Sequence, residues 1–332
     1  MKPIPELPGI DAEGFARDIV PGYAPVVLRG QVSAWPAVAA GRRGPRAMVD
    51  YIAAFDCGRP ADVMIGAPAI EGRFFYSDDM RGLNFRREPV PMRRLLDKLL
   101  ELLGSQTAPA LYAGAAAAPD LLPGWEAANP LALPVKSAMA RIWIGNRTRA
   151  SAHYDVSHNV ACVVAGRRRF VLFPPQQIAN LYVGPLDHTI AGQPTSMADW
   201  QRPDFERFPR FAEALQHAVV AELEPGDAIF IPSLWWHDVT ALEPLNVLIN
   251  YWWGQAMEAP AFPALIHALM SVRDVSPGER DAWKVLFDHY IFGSQAGAAG
   301  DHLPKHARGV LGPPSPERNK LIKQFLINVL SL

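Results

Sequence analysis

The 332-residue chain is 49% apolar and 20% charged, which gives it enough apolar matter for a sizeable core and excludes disorder as its dominant state. Its 33 acidic and 32 basic residues leave a formal charge of -1, which argues against a strongly basic nucleic-acid binder. Two cysteines argue against a disulfide scaffold or thiolate zinc site, and 32 prolines, about twice the usual share of about 5%, against a helical bundle.

The N-terminus, MKPIPELPGIDAEGF, has no long apolar stretch after its single Lys and reads as no secretory signal. Apolar runs break at charge, Gly or Pro well before about 18 residues, so no membrane span is expected. A cytoplasmic protein is the resulting expectation. Ala24 to Gly30 reads as a short β-branched strand ended by glycine. Met48 to Phe55 begins a helix, Asp62 to Ile65 is a strand, and Arg73 to Tyr76 is aromatic and strand-like. Pro91 to Leu103 places Met92, Leu95, Leu96, Leu99, Leu100 and Leu103 at helical spacing, with proline tolerated near the first turn.

From about residue 108 to 255 the pattern becomes many short strands between turn signals, as in a β-barrel or sandwich. Ala140–Gly145 is a strand and turn, and Asn159–Ala165 is an apolar run. Gly166-Arg167 is expected to turn a hairpin into Arg168–Phe173, which Pro174-Pro175 stops. Val219–Leu223, Ala228–Pro232 and Leu245–Trp253 are further strands, the first two joined by the turn Glu224-Pro225-Gly226-Asp227. The tail returns to helical period, ending with Ile322, Phe325, Leu326, Val329 and Leu330 on one face of a final helix.

His153-Tyr154-Asp155, with His237 far downstream in Trp235-Trp236-His237, carries the chemistry. Residues two apart on a strand share a face, so His153 and Asp155 project together, and a histidine from a distant strand completes a facial set. Two imidazoles and one carboxylate leave about half an octahedral sphere open, the arrangement suited to non-haem Fe(II). A bare H-x-D is common by chance among nine histidines; what distinguishes this one is that His153 enters a strand and His237 follows the apolar run Ile229-Phe230-Ile231-Pro232 after a Pro-Gly-Asp turn.

Ser151 to Trp253 resembles the JmjC/cupin-8 branch of Fe(II)- and 2-oxoglutarate-dependent oxygenases. Within it, the chain is most similar to the asparaginyl hydroxylases of hypoxia-inducible factor. The matching segments are HYD at 153–155, Asn159, GRRRFVLFPP at 166–175, PDFERFP at 203–209, EPGDAIFIPSLWWH at 224–237 and INYWW at 249–253. PVVLRG at 25–30, Trp35-Pro36 and Leu111-Tyr112 resemble the family upstream. The resemblance implies a mainly β fold with helices: a double-stranded β-helix (jelly-roll, cupin) barrel with an N-terminal α/β flank and a C-terminal helical region. The implied division is 1–107 for the flank, 108–258 for the catalytic core and 259–332 for the helical region.

The resemblance makes His153, Asp155 and His237 the iron ligands and catalytic centre, with 2-oxoglutarate chelating the metal and O2 as co-reactant. The far carboxylate of 2-oxoglutarate needs a cation, and where close relatives have Lys this chain has Arg168. Arginine is longer and planar but pairs bidentately with carboxylates, and Arg168 shares a strand face with Phe170 and Leu172. Arg141 and Arg149 are the next candidates. Tyr112, Asn159 and Asn250 match cosubstrate-contacting positions. Ser151 stands beside Ala150, which replaces a cosubstrate-binding Thr. Gln193 and Trp252 match substrate positions, although Gly192 replaces an Arg beside that Gln. His158 and Asp238 read as rim residues.

The expected activity is hydroxylation of a C–H bond of a protein side chain or small molecule, with succinate and CO2 as co-products. Demethylation is less expected, because no reader domain or basic tail is visible. Nucleic acid and membrane are not expected partners; a homodimer through the C-terminal helices is, by resemblance and because the final helical stripe must be covered. Two rivals stay open: a cupin-fold metalloenzyme that does not use 2-oxoglutarate, and a non-catalytic metal-binding barrel.

Overall fold

A computed structural model describes residues 1–135, 138–254 and 260–330. Its first strands are β1 (Lys2–Pro3), β2 (Glu6–Pro8), β3 (Val26–Arg29), β4 (Pro60–Gly66), β5 (Arg73–Phe74), β6 (Phe85–Pro91), β7 (Ala110–Ala117) and β8 (Ala140–Gly145). They are followed by β9 (Arg149–Tyr154), β10 (His158–Ala165), β11 (Arg168–Phe173), β12 (Val219–Leu223), β13 (Ala228–Ile231), β14 (Trp236–Ala241) and β15 (Asn246–Trp253). They form two sheets, ordered β1-β12-β11-β14-β9-β5 and β2-β3-β13-β10-β15-β8-β7-β4-β6.

The quartets β12-β11-β14-β9 and β13-β10-β15-β8 are antiparallel throughout. Their facing sides share one apolar cluster. Phe170, Leu172, Ala221 and Leu223 come from the first sheet, and Ala161, Val163, Ile229 and Leu248 from the second. The architecture is therefore a jelly-roll barrel with helical regions. Strands of the first 107 residues are hydrogen-bonded into the barrel's own sheets, β3 beside β13, β4 beside β7, and β5 beside β9.

Helices α1 (Pro36–Arg43), α2 (Pro45–Ala53) and α3 (Met92–Glu101) cover the outer face of the larger sheet. In α3 the leucine spacing puts Leu95, Leu96 and Leu99 on the buried side, against a core that includes Ile142, Ile144 and Val247. The outer face of the smaller sheet packs on α4 (Phe211–His217) through Phe173, Trp236, Phe211 and Ala214.

The expected hairpin at Gly166-Arg167 is not one. β10 and β11 lie in different sheets, so this turn carries the chain from one layer to the other. Gly166 has φ +72, and a Cβ there would fall 2.3 Å from Asn246 Oδ1 and 2.6 Å from the Leu245 carbonyl, so the crossover requires glycine. The sequence also invites Asp155 and Asn159, four residues apart, to be read on one strand face, and the structure corrects that reading. β9 ends at Tyr154, and Asn159 belongs to β10 beyond a bend.

By its contacts the chain divides into two compact units, Met1–Ala259 and Pro260–Leu332. The expected boundary between residues 258 and 259 lies outside the described residues. The second unit contains α5 (Phe262–Ser271), α6 (Pro277–Phe287) and α7 (Pro316–Leu330). Among its described residues only Gly300 is buried. No described helix is long and apolar enough to cross a membrane.

Candidate metal centre

β9 and β14 pair antiparallel with His153 directly opposite His237, and the ring centroids lie 4.4 Å apart. Each ring is turned by a carbonyl of its own strand or its approach. His153 Nδ1 lies 2.9 Å from the Ser151 carbonyl, and His237 Nδ1 lies 3.0 Å from that of Trp235. A carbonyl only accepts, so each Nδ1 carries a proton, and in the neutral ring the lone pair is on Nε2, facing the other donors. Asp155, just past the end of β9, brings Oδ2 to 3.6 Å from His237 Nε2.

One donor atom from each of the three residues lies within 4.8 Å of the others, and no second such group occurs among the described residues. Burial, with His153 beside it, holds the His237 imidazole down at about 4, against the opposing pull of Asp155. At neutral pH the His237–Asp155 approach is thus a ligand-like contact and not an ion pair. The set supplies two imidazole nitrogens and one carboxylate on one side, which fits a ferrous ion with open positions.

Arg168 opens β11 with its side chain inward, only 2% exposed, while its neighbours Arg167 and Arg169 pair outward with Glu243 and Glu222. Its guanidinium lies close enough to Tyr112 to act on the phenol electrostatically, and Nε and Nη2 are buried without a partner. No hydrogen bond engages the Tyr112 hydroxyl among the described residues, so its O–H is available to a ligand. Burial raises the Tyr112 phenol, with Arg168 opposing, so it stays protonated. Among the described residues no carboxylate stands within ion-pair distance of Arg168. A buried cation with idle donors is costly unless an anion meets it, and a ligand carboxylate matches that need.

The other expected residues surround the same cavity of about 420 Å³. Asn250 on β15 accepts from Trp143 Nε1 at 2.8 Å, which fixes its carbonyl oxygen and leaves its NH2 to donate. Asn159 is buried with Oδ1 unpartnered, and Ser151 Oγ accepts from Arg73 Nε at 3.0 Å. Gln193, from the segment between β11 and β12, and Trp252, beneath the Arg141 guanidinium at 5.3 Å, complete the wall.

The structure thus brings His153, Asp155, His237, Arg168 and Tyr112 together with Asn159, Asn250, Ser151, Gln193 and Trp252. Asp238 is not a rim residue: it is 1% exposed and paired with Arg149. His158 is half-buried, with Nδ1 accepting from the Ser233 backbone N–H. Arg149 is already committed to Asp238 and Asp199, which removes it as an alternative carboxylate anchor. Sequence reasoning missed Trp143 and Arg87. Alternation in β8 against Ile142 and Ile144 could have turned Trp143 inward. Arg87, held by Asp62 and the Ile190 carbonyl, sits in an edge strand with no apolar alternation to read.

A family model, the cupin-like domain, matches residues 12–259. The tRNA wybutosine-synthesizing protein 5 of Gallus gallus is 26% identical over 275 residues, 75% of this chain and 76% of that protein. The lysine-specific demethylase JMJ31 of Arabidopsis thaliana is 36% identical over 127 residues, 38% of this chain and 23% of its own. HSPB1-associated protein 1 of Homo sapiens is 36% identical over 113 residues, 33% of this chain and 22% of its own. The matched stretch spans less than a quarter of the length of these last two relatives.

Proposed function

The chain belongs to the cupin-like domain family, of JmjC type, and from that premise we propose that it is an Fe(II)- and 2-oxoglutarate-dependent dioxygenase. It hydroxylates a C–H bond of a protein side chain or small molecule. The observation that carries this reading is Arg168: a buried cation with two idle donors in the same cavity as a His-Asp-His donor set. The far carboxylate of 2-oxoglutarate is the anion this reading assigns to those donors; Arg168 in place of Lys is also the main support for the rival, a metalloenzyme that does not use 2-oxoglutarate.

His153, Asp155 and His237 would hold the iron, which when bound couples the oxidation of 2-oxoglutarate to succinate and CO2 with O2-dependent hydroxylation. Arg168 and the Tyr112 hydroxyl bind the far carboxylate of the cosubstrate through three donors. The Asn250 amide and the Ser151 hydroxyl offer donors to its near end. The carbonyls of Ser151 and Trp235 keep both imidazoles in the tautomer that can ligate. Phe170, Ile231 and Leu248 exclude water from the deep wall, while Gln193 and Trp252 orient the substrate.

Anaerobic titration with Fe(II) and then 2-oxoglutarate tests the reading. A weak visible charge-transfer band and slow succinate formation are expected. Iron binding with no band and no 2-oxoglutarate turnover would favour the non-2-oxoglutarate metalloenzyme. Substrates are sought as +16 Da products by mass spectrometry. The panel includes tRNA, because the relative matched over most of both chains is named for a tRNA product. The same reading takes the chain as a homodimer built through α7.

A further inference from the structure

The ladder between the two histidine strands is irregular at the point where it matters most. His237 faces His153, but Val239 faces Ala150, so β9 holds one more residue than β14 in this interval. Such a bulge disrupts the ladder locally, bends the strand and increases its twist. Hydrogen bonds of the sheet alone therefore do not fix the angle between the two imidazoles.

A chain of charges, buried at Arg149 and Asp238 and half-buried at Asp199 and Arg73, spans the bulge. Arg149, at the start of β9, reaches across to Asp238, the residue after His237. Its Nε lies 3.1 and 3.0 Å from the two carboxylate oxygens, and its Nη2 lies 2.8 Å from Oδ2. Its Nη1 meets Asp199 Oδ1 at 2.7 Å. Asp199 Oδ2 meets Arg73 Nη1 at 3.3 Å, and Arg73 Nε donates to Ser151 Oγ. Ser151 in turn supplies the carbonyl that orients His153. The chain of charges runs from the neighbour of one histidine back to the orienting residue of the other. Asp199 also ties in the segment whose Thr195 bridges to His153, and the Ser196 N–H donates to the Ala152 carbonyl at 2.7 Å.

We propose that Arg73, Asp199, Arg149 and Asp238 are positioning residues that set the angle at which His153 and His237 meet a metal; this rests on the reading of those histidines as ligands. Two cations and two anions cancel, and a buried pair such as Arg149–Asp238 contributes little stability compared with an apolar replacement of equal volume. What the chain of charges adds is geometry at a bulge. Supporting groups of this kind are worth about 10- to 100-fold in metal affinity.

The test uses the full chain with Co(II), whose visible d–d bands report coordination geometry, and a competing chelator to read affinity. The variants are Arg149→Met with Asp238→Leu, which replaces the pair by apolar volume, and Asp238→Asn alone, which keeps the shape. Leu96→Ala, in the α3 core, is a control for general loosening. We expect the paired variant to melt cooperatively near the wild-type temperature, to bind Co(II) about 10- to 100-fold more weakly, and to show altered bands. Asp238→Asn should move the same way by less, and it carries the test if the paired variant does not fold. Wild-type affinity and bands in a folded variant overturn the proposal. So does an equal loss of affinity in Leu96→Ala. A wild-type protein that binds neither Co(II) nor Fe(II) overturns the ligand assignment itself, which is a separate result.

Discussion

In the barrel, polar groups are buried with nothing to pair them; in Pro260–Leu332, apolar side chains stand in solvent with nothing to cover them. Arg168 represents the first region, with two donors sealed from water and unused. Phe325 represents the second, 62% exposed on α7 beside exposed Leu321, Leu326 and Leu330. Helix α3 shows that a leucine stripe is not itself the anomaly: its Leu96 and Leu99 are fully buried. The same physical rule is broken with opposite sign in the two regions, so each implies a different missing partner. The barrel calls for an anion, and α7 for an apolar surface.

The largest effect is expected where the barrel's donors would take up a metal. His153→Ala or Asp155→Ala should abolish iron binding and 2-oxoglutarate turnover while leaving a cooperative melt, because neither side chain belongs to the apolar clusters. Metal content after reconstitution decides it, and full iron in either variant would sink the assignment. Next comes the idle cation. Losing a buried charge-assisted pair costs roughly 2–5 kcal/mol, so Arg168→Ala should raise the apparent constant for 2-oxoglutarate about 30-fold or more. The constant for iron should move far less. Since Arg168 has no anionic partner among the described residues, Arg168→Met should not lower the melting temperature without cosubstrate. A clear drop would mean that Arg168 is already satisfied.

The contrast between the two leucine stripes can be broken directly. Leu96→Ala removes a buried side chain and should cost about 2–5 kcal/mol in urea unfolding. Leu326→Ala removes one that is half exposed, and in a single chain it should change unfolding by less than about 0.5 kcal/mol. Equal costs would mean that α7 is covered after all.

How much of this was legible in the sequence follows from the same physics. β8, β10, β12 and β13 could be read because apolar or β-branched runs lie between Gly and Pro. β14 could not: Trp236, His237 and Asp238 are all buried, so no alternation of polar and apolar marks it. The switch of sheets at Gly166 was hidden because a tight glycine turn looks alike whether its strands pair or part. Side-chain alternation placed Arg168 inward correctly. The Arg149–Asp238 pair joins residues 89 apart, and no local pattern reports such a contact. The stripe on α7 was visible in full, but periodicity says only that a face is apolar, not what meets it.

Acid should act on the barrel through His237. Unfolded, an imidazole takes its proton near pH 6.5; folded, His237 is held down at about 4. Between those values the unfolded chain binds more protons. The stability present above about pH 6.5 is therefore lost progressively as pH falls toward 4, by up to roughly 3 kcal/mol. Urea unfolding of metal-free protein at several pH values should show this slope, and His237→Gln should flatten it. An unchanged slope in the variant would move the acid sensitivity to another group.

The smallest effect on turnover is expected from the other region, although the change in mass should be large. The proposed dimer covers α7 with its symmetry mate, and a two-fold interface brings each residue near its own counterpart. Changing Phe325 and Leu326 together to Glu would then place unpaired charges in an apolar seam and give soluble monomers. The cavity residues all lie in Met1–Ala259, whose apolar clusters are complete without α7. The monomeric variant should therefore bind iron and 2-oxoglutarate with wild-type constants. Light scattering across micromolar concentrations reads the mass, and the anaerobic titration reads the site. A single-chain mass in the wild-type protein removes the dimer. A monomeric variant with a damaged site would mean that the barrel depends on the partner, and the separation drawn between the two regions would fail.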